Sequence, residues 1–410
     1  MKKNLIILIA LLLPVLSIAQ DKKIKLKFSG FVKSDIFWDS RQSVAVREGH
    51  FYLYPKNESK DASGKDINAK SDFNILSIQT RLKLAITGPD AFGAKTSALV
   101  EGAFFGATDP DINGFRLRHA YAKLNWTNTE LLVGQTWHPL FVTSCFPGTI
   151  SFNTGAPFQP FTRNPQIRLT QKLDNFKIKL SAISQRDFQS TGPDGKSSSY
   201  LKNNVIPEMN LTIEYQKNYE NGNIFLAGLS GGYKSLVPRL KTKNNYKTDE
   251  KAGGFTGMAF LKYKYSDLTF KLEGFYGQET YNLTMLGGYV VEKVTDIVRD
   301  YVEYTPINVV SFWTDIHTNG KKIQGGIFAG YTKNMGADKD VIGPYYSRGS
   351  NIDYVYRVSP RIIFNSGKMR FAGELEMTTA GYGTINPKGE VKNVKDVTNI
   401  RVLLGVYYFF

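Results

Sequence analysis

Hydrophobic and polar residues alternate one by one along much of this chain, in segments of about ten residues that end in turn residues. The first such segment is KLKFSGFVKSDIFW. Its apolar members share one face and its charged members the other: Leu26, Phe28, Val32, Ile36 and Trp38 against Lys25, Lys27, Lys33 and Asp35. Successive side chains of a strand point to opposite faces. The pattern therefore predicts strands with one apolar and one polar face, which is typical of a transmembrane β-barrel.

Short turns and long polar loops alternate between the predicted strands. The short turns lie at residues 88–93, 127–129, 173–175, 218–222, 266–267, 318–320 and 365–367. The long stretches lie near residues 39–72, 107–114, 138–164, 187–204, 235–252, 280–306, 335–350 and 381–397. These connections join sixteen strands. An unpaired backbone group is costly in lipid, so the sheet must close, and about 16 strands leave a water-filled channel. We predict an all-β, transmembrane, antiparallel β-barrel.

The last strand supports the membrane prediction independently. In NIRVLLGVYYFF one face carries Val402, Leu404, Val406, Tyr408 and Phe410, and the chain ends on that aromatic residue. Aromatic residues are expected where a barrel meets the membrane interface. A terminal aromatic on an alternating strand also looks like the signal that the barrel-assembly machinery recognises. The alternative is a soluble strand at a domain end, which would rarely expose four consecutive aromatic residues.

The first residues have the features of a secretory signal peptide. Lys2 and Lys3 precede an apolar run from Leu5 to Leu16, and Ser17 and Ala19 are the small residues that a signal peptidase needs. The alternative, a membrane anchor, is disfavoured because the run is too short to span a bilayer. We therefore expect a signal peptide over residues 1–19 and one barrel domain over residues 20–410. The predicted location is the outer membrane of a Gram-negative bacterium.

The chain is strongly basic, with a net charge of +16, which becomes +14 when Lys2 and Lys3 are removed with the signal peptide. An excess of positive charge favours anionic partners. The candidates are small anionic solutes and the lipid and lipopolysaccharide of the outer membrane. Nucleic acid is not expected, because no basic residues cluster on a helix. The single cysteine, Cys145, is expected to be a small buried hydrophobic residue rather than a reactive thiol.

The region from Phe115 to Gln171 contains three predicted strands and one long loop that could narrow the lumen of such a barrel. FRLRHAYAKLNW and ELLVGQTW read as two strands, and PQIRLTQK as a third. Between them, residues 138–164 form a long loop with several aromatic residues and no acidic one. Loops of this length are usually functional, and this one is too apolar for a solvated linker. We predict that this third long loop folds into the lumen.

Basic residues recur on the predicted inner face around that loop. Arg116 and Arg118 alternate with Leu117, so both can point inward, and Glu101 is their acidic counterpart. The predicted pore-lining or anion-binding residues are Arg81, Lys83, Arg116, Arg118, Gln135, Arg163, Arg168, Lys177 and Lys179. We choose the register in which Phe115, Leu117 and Tyr121 face the lipid, because the reversed register would place the arginines in lipid at about 2–4 kcal/mol each. Rings of Arg and Lys select anions. Alternatively, these charges only pair with one another, as in any water-filled barrel.

Enzymatic chemistry finds little support. The four histidines (His50, His119, His138 and His317) are scattered, without the spacing of a metal site. No serine is nominated as the partner of a catalytic histidine, and no cofactor motif is present. We expect neither an enzyme nor a cofactor.

Three segments resemble a known family. FRLRHAYAKLNW, LLVGQTWHPLF and PFQPFTRNPQIRLTQ resemble the porin-like outer-membrane proteins related to the DcaP dicarboxylate channel. The resemblance implies a sixteen-stranded homotrimeric porin with its third loop in the lumen and a preference for small anions. It implies Arg116, Arg118, Gln135 and Arg168 as pore residues. Well-known members carry a helical extension before the barrel, whereas the first strand here follows shortly after the predicted cleavage site.

The sequence thus predicts an outer-membrane porin for passive diffusion of small hydrophilic solutes, with a preference for anions such as carboxylates. The alternative is a non-transporting surface barrel, an adhesin or structural protein, that acts through its long outer loops. A plugged barrel that conducts no ions would favour this alternative.

Overall fold

One antiparallel sheet, closed on itself, forms the wall of a barrel in the computed structural model, which describes residues 24–410. The predicted signal peptide lies outside the described residues. The sixteen barrel strands are β1 Lys25–Asp39, β2 in two pieces (Asp72–Leu76 and Arg81–Thr87), β3 Lys95–Ala103, β4 Arg116–Asn125, β5 Thr129–Trp137, β6 Arg163–Leu173, β7 Phe176–Ile183, β8 Glu208–Asn218, β9 Ile224–Leu236, β10 Ala252–Tyr265, β11 Leu268–Gln278, β12 Asn308–Thr318, β13 Ile323–Asn334, β14 Ile352–Ser366, β15 Met369–Ile385 and β16 Val391–Phe409. The predicted fold class is confirmed.

Strand β1 closes the barrel by pairing with β16 on one side and with both pieces of β2 on the other. Phe410 extends this closure, because its N–H and C=O exchange hydrogen bonds of 3.2 Å with Gly30. No edge strand of the wall is left unpaired among the described residues, as lipid requires.

The predicted faces of β1 and β16 are confirmed. Leu26 and Phe28 are 59% and 61% exposed on the outside, whereas Lys33 and Asp35 are buried inside. Leu404 and Tyr408 face outward from β16 in the same way. The outer wall is therefore apolar, as expected of a surface in contact with lipid.

The alternation of short turns and long loops is also confirmed, with one correction at the end of the chain. The predicted loop over residues 381–397 is a tight turn at residues 386–390, because β15 and β16 continue beyond the apolar belt. The Asn386 side chain accepts hydrogen bonds from the N–H groups of Lys388 and Glu390. Strand residues that extend into water are polar on both faces, so their composition resembles that of a loop.

Three outer loops fold into the barrel. They are numbered by their order among the outer loops: L1 (residues 40–71), L3 (138–162) and L6 (279–307). L1 contributes the hairpin of Ser43–Val46 and Phe51–Pro55, and L6 contributes the 3-10 turn Tyr281–Leu283. Apolar side chains of all three loops join one core inside the wall. The inward course of L3 is confirmed, whereas the contributions of L1 and L6 were not predicted.

The remaining elements belong to the outer loops. Gly287–Asp296, Tyr301–Pro306 and Tyr345–Arg348 form a three-stranded sheet that ties L6 to the seventh loop. Loop L4 (184–207) carries the small strands Thr191–Gly192 and Gly195–Lys196 and the helix Ser199–Asn203; the 3-10 turns Ile67–Ala69 and Asp109–Asp111 lie in L1 and L2 (104–115). Between residues 24 and 410, every helix is too short or too polar to cross a membrane.

Candidate functional site: a basic vestibule beneath the third loop

A β-bulge in β4 sets the direction of the basic side chains. Glu101 of β3 pairs with His119 and Gly102 pairs with Leu117, so Arg118 is the extra residue between them. A bulge re-aims the side chains that follow it. Arg118 and His119 consequently both point into the lumen.

The bulge corrects one expectation of the sequence analysis. In the register chosen there, Phe115, Leu117 and Tyr121 face the lipid. Phe115 and Leu117 do so, with 61% and 46% exposure. Tyr121 instead lines the lumen. Because Arg118 is an extra residue in β4, the odd-numbered side chains face outward before the bulge and inward after it.

The lumen between L3 and the short turns contains a vestibule of about 640 Å³. The underside of L3 forms its roof with aromatic side chains, among them Phe141, Phe146 and Phe152. Five of the predicted residues line its wall: Arg81, Lys83, Arg118, Arg168 and Lys179. These five basic side chains lie on the inner face of the wall.

Carboxylates neutralise several of the basic groups in this wall. Glu101 accepts from Arg118 at 2.8 Å and lies 3.4 Å from the Arg81 guanidinium. Glu214 pairs with Lys179 in the same manner. These contacts match the alternative in which lumen charges pair with one another.

Lys83 and Arg168 differ from these pairs. Among residues 24–410, neither has a carboxylate oxygen within 4.0 Å, so both remain available to a solute. Arg168 is held in place by neutral groups: its Nε donates to the Gln166 side chain at 3.0 Å and its Nη2 to the Trp137 carbonyl at 2.9 Å. The vestibule therefore keeps an excess of positive charge.

Arg116 and Arg163 lie on the opposite side of L3, away from the vestibule, and share one acid. Asp187 of L4 accepts from Arg163, with Nη2 and Oδ2 2.6 Å apart, and also pairs with Arg116. Burial alone would raise the pKa of Asp187, but the two guanidinium groups hold it below its usual 3.8. The sequence pattern did not predict Asp187 as the partner of these arginines. Loop residues do not alternate regularly between two faces, so the sequence does not show which of them points inward.

Two more predicted residues lie outside the vestibule. Gln135 shares the outer face of β5 with Val133, and its amide donates to the carbonyls of Leu117 and Arg118 at 3.2 Å each. It supports the bulge rather than the pore, so its assignment to the pore was wrong. Lys177 shares the inner face with Lys179 but lies nearer the turn at residues 174–175, beyond the vestibule wall.

L3 is fastened to the far wall by backbone and amide groups. Gly148 N–H donates to Asp315 at 3.2 Å, Ile150 N–H donates to Glu374, and the Asn153 amide donates to Glu376 at 2.8 Å. Lys271 Nζ donates to the Phe146 carbonyl at 2.8 Å. The loop therefore crosses the whole lumen instead of lying along one side.

The sequence analysis missed the basic residues of that far wall. Arg361 binds Asp315 at 2.7 Å, and Arg401 binds Asp39 at 2.6 Å. Arg370 lines the vestibule and donates to Asn365 at 2.8 Å. All three alternate with outward-facing apolar residues, so the rule that found Arg116 and Arg118 would also have found them. Arg47 in L1 carried no such signal.

A closed sixteen-stranded antiparallel barrel whose third loop crosses the lumen has the fold of a porin. The solved structures similar to it include the outer membrane channel DcaP of Acinetobacter baumannii, with a TM-score of 0.69 and 18% identity over 95% of this chain and 99% of that chain. The anion-selective porin from Comamonas acidovorans matches with a TM-score of 0.55 and 12% identity, over 95% and 100% of the two chains. The in-vitro folded OmpT of Vibrio cholerae, an outer membrane protein in its trimer form, matches with 0.50 and 12%, over 95% and 100%.

No family model matches the chain, and no curated protein matches it. The sequence analysis found, in three short segments, a resemblance to the porin-like proteins related to DcaP. Solved structures whose match extends over 95% of this chain confirm it. At sequence identities of 12% to 18%, the similarity to these structures establishes the fold alone.

Proposed function

We propose that this protein is an outer-membrane porin that admits small hydrophilic solutes by passive diffusion and prefers anions such as carboxylates. The observation that carries the proposal is the vestibule beneath L3, in which Lys83 and Arg168 have no acidic partner among residues 24–410. Arg370 in the same wall is a third cation without a carboxylate partner among these residues, since its guanidinium donates to Asn365. Cations of this kind raise the local concentration of anions in the lumen.

The size and chemistry of the vestibule support the same proposal. A volume of about 640 Å³ lies in the range of cavities that hold small molecules. Arg168 presents a planar guanidinium, which binds a carboxylate through two parallel hydrogen bonds. Gln166 and the Trp137 carbonyl orient that group without cancelling its charge.

We extend the proposal to the location and the partners of the protein. Residues 1–19 direct export, and the barrel-assembly machinery recognises the strand that ends at Phe410. The barrel then lies among lipid and lipopolysaccharide of a Gram-negative outer membrane and assembles as a homotrimer. The apolar outer wall supports the membrane location. No cofactor, nucleic acid or enzymatic activity belongs to the proposal.

Liposome swelling tests the proposal. Vesicles containing the full-length protein should swell faster in an isosmotic anionic solute, such as succinate, than in a neutral or cationic solute of similar size. Lys83→Ala with Arg168→Ala should reduce this difference, because two of the cations without a carboxylate partner are removed. Lys177→Ala is the matched control, since that lysine lies outside the vestibule wall. Equal swelling rates for all three solutes would contradict the anion preference.

The alternative of a non-transporting surface barrel also has an observation in its favour. L1, L3 and L6 together build an apolar core inside the wall, which includes Leu53, Phe152 and Leu286. A core of this kind can close the lumen. If the liposomes do not swell in any solute, the plugged surface barrel becomes the better account.

A further inference from the structure

Three buried arginines alternate with aromatic rings where L1 meets β4 and β6. The guanidinium of Arg47 in L1 lies 4.8 Å from the centre of the Phe105 ring, and that of Arg118 lies 5.5 Å from the same centre. Arg118 and Arg163 both approach Trp137, at 5.9 and 4.9 Å. Cation–π contacts lower the cost of burying these charges but do not neutralise them.

The charges in this region do not balance. Five guanidinium groups, those of Arg47, Arg81, Arg116, Arg118 and Arg163, face two buried carboxylates, Glu101 and Asp187. Asp109, whose charge also acts on Arg47, is exposed. A buried charge without a partner is costly, so buried charges are normally paired.

The same arginines have hydrogen-bond donors that no protein atom uses. Within residues 24–410, Arg47 Nη2, Arg118 Nη1 and Arg163 Nη1 are buried and make no hydrogen bond. All three residues are at most 2% exposed. Buried polar atoms without a partner indicate a missing ligand or bound ion.

Arg47 is brought to this place by an unusual turn. Arg47 and Glu48 have φ angles of 58° and 49°, in the left-handed region that non-glycine residues rarely adopt. Backbone strain of this kind tends to occur at ligand-binding segments. Burial, and next the charge of Arg116, lower the pKa of Arg47 to about 9. The guanidinium thus stays protonated at neutral pH, in surroundings with more positive than negative charge.

His50 completes the inner side of this turn without adding charge. Its ring lies 4.3 Å from that of Phe152, and Arg47 Nε approaches its Nδ1 at 3.5 Å. Burial, and next the charge of Arg47, hold the pKa of His50 well below 6.5, so the ring is neutral. The positive charge therefore comes from the arginines alone.

We propose that Arg47, Arg118 and Arg163 form a buried binding site for one small oxyanion beside L3, next to the vestibule, whose wall Arg118 shares. Three unused N–H groups from three guanidinium forks suit a ligand with several acceptor oxygens, such as phosphate or a carboxylate. Chloride offers a single acceptor atom and is the poorer match. The bound ion links the L1 hairpin to β4 and β6. The inference rests on the proposed anion channel only for the route by which the ion arrives.

Equilibrium dialysis with radiolabelled inorganic phosphate tests the site directly. The full-length protein in detergent should bind phosphate saturably, at about one ion per chain, with sodium chloride holding the ionic strength constant. Succinate in a second arm shows whether carboxylates compete for the same donors. Arg47→Gln should weaken phosphate binding by on the order of tenfold, because a charged donor is lost. Arg186→Gln is the matched control, since Arg186 is exposed beside Asp187.

A second variant covers the case in which Arg47→Gln does not fold. Arg118→Lys keeps the charge but removes the planar fork, and it should also weaken phosphate binding. Absence of saturable binding to the wild type, or equal binding by wild type and both variants, would overturn the site. An anion-selective channel that binds no phosphate would refute this inference alone. Phosphate binding by a channel without anion selectivity would refute only the proposed function.

Discussion

Asp187 joins two arginines that come from different strands. Its carboxylate binds Arg116 of β4 and Arg163 of β6, and both contacts are largely shielded from water. The folded-state pKa of Asp187 lies below 3.8, so the ionised form is stabilised by folding. This contribution to stability is complete at neutral pH and is lost as the pH falls through the lowered folded-state pKa.

Asp187→Asn should destabilise the protein by about 3–5 kcal/mol at pH 7, because two buried guanidinium groups lose their carboxylate. Thermal unfolding in detergent between pH 3 and pH 7 measures the effect. The difference between wild type and variant should start to shrink below about pH 3.8, where the Asp187 carboxyl of the unfolded chain takes up a proton, and should vanish once the folded-state carboxyl is protonated at a lower pH. A difference that stays constant down to pH 3 would contradict this assignment.

Gly134 is required by the geometry of the bulge region. Its φ is 132°, and a Cβ atom there would lie 2.3 Å from the Ala120 carbonyl oxygen and 2.6 Å from Tyr121 Cα. Gly134→Ala should therefore cost at least about 1–3 kcal/mol of stability. Gly325→Ala is the control, because open space surrounds that glycine. Urea unfolding of both variants should separate them, and equal midpoints would contradict the argument.

Among the elements, the L1 hairpin at residues 43–55 occupies lumen that the wall alone would leave open. Its side chains Phe51, Tyr52, Leu53 and Tyr54 are at most 4% exposed. Tyr52 lies under Arg357 and Arg401 at 4.9 and 4.6 Å. The hairpin is therefore a second constriction beside L3.

Replacement of residues 43–55 by a short Gly/Ser linker should increase single-channel conductance, because it empties this part of the lumen. A Gly/Ser replacement of residues 57–65 is the control, since that part of L1 is mostly exposed. The control should conduct like the wild type. If the hairpin deletion leaves the conductance unchanged, another segment sets the narrowest point.

The same elements show how far the sequence could predict the structure. Alternation located the strands and the inward faces of Arg81, Arg118 and Arg168, because period two is imposed by the backbone of every strand. The bulge at Arg118 escaped prediction, because a single extra residue depends on how two strands pair. L1, L6 and Asp187 also escaped, since the inward course of a loop depends on contacts with distant segments.

At the scale of the whole molecule, charge and shape act together. L3 spans the lumen from β5 to the far wall, and the vestibule beneath it keeps the unpaired cations Lys83 and Arg168. The arginine cluster on the other side of L3 also carries more positive than negative charge. An anion that crosses the barrel meets positive charge on both sides of the constriction.

The most direct test of the account is the reversal potential of the wild-type channel in a planar bilayer under a salt gradient. We predict an ion current whose reversal potential has the sign of anion selectivity. Replacement of Lys83 and Arg168 by alanine should move the reversal potential toward zero, whereas Lys177→Ala should leave it unchanged. A cation-selective current, or a bilayer that stays silent, would contradict the central claim.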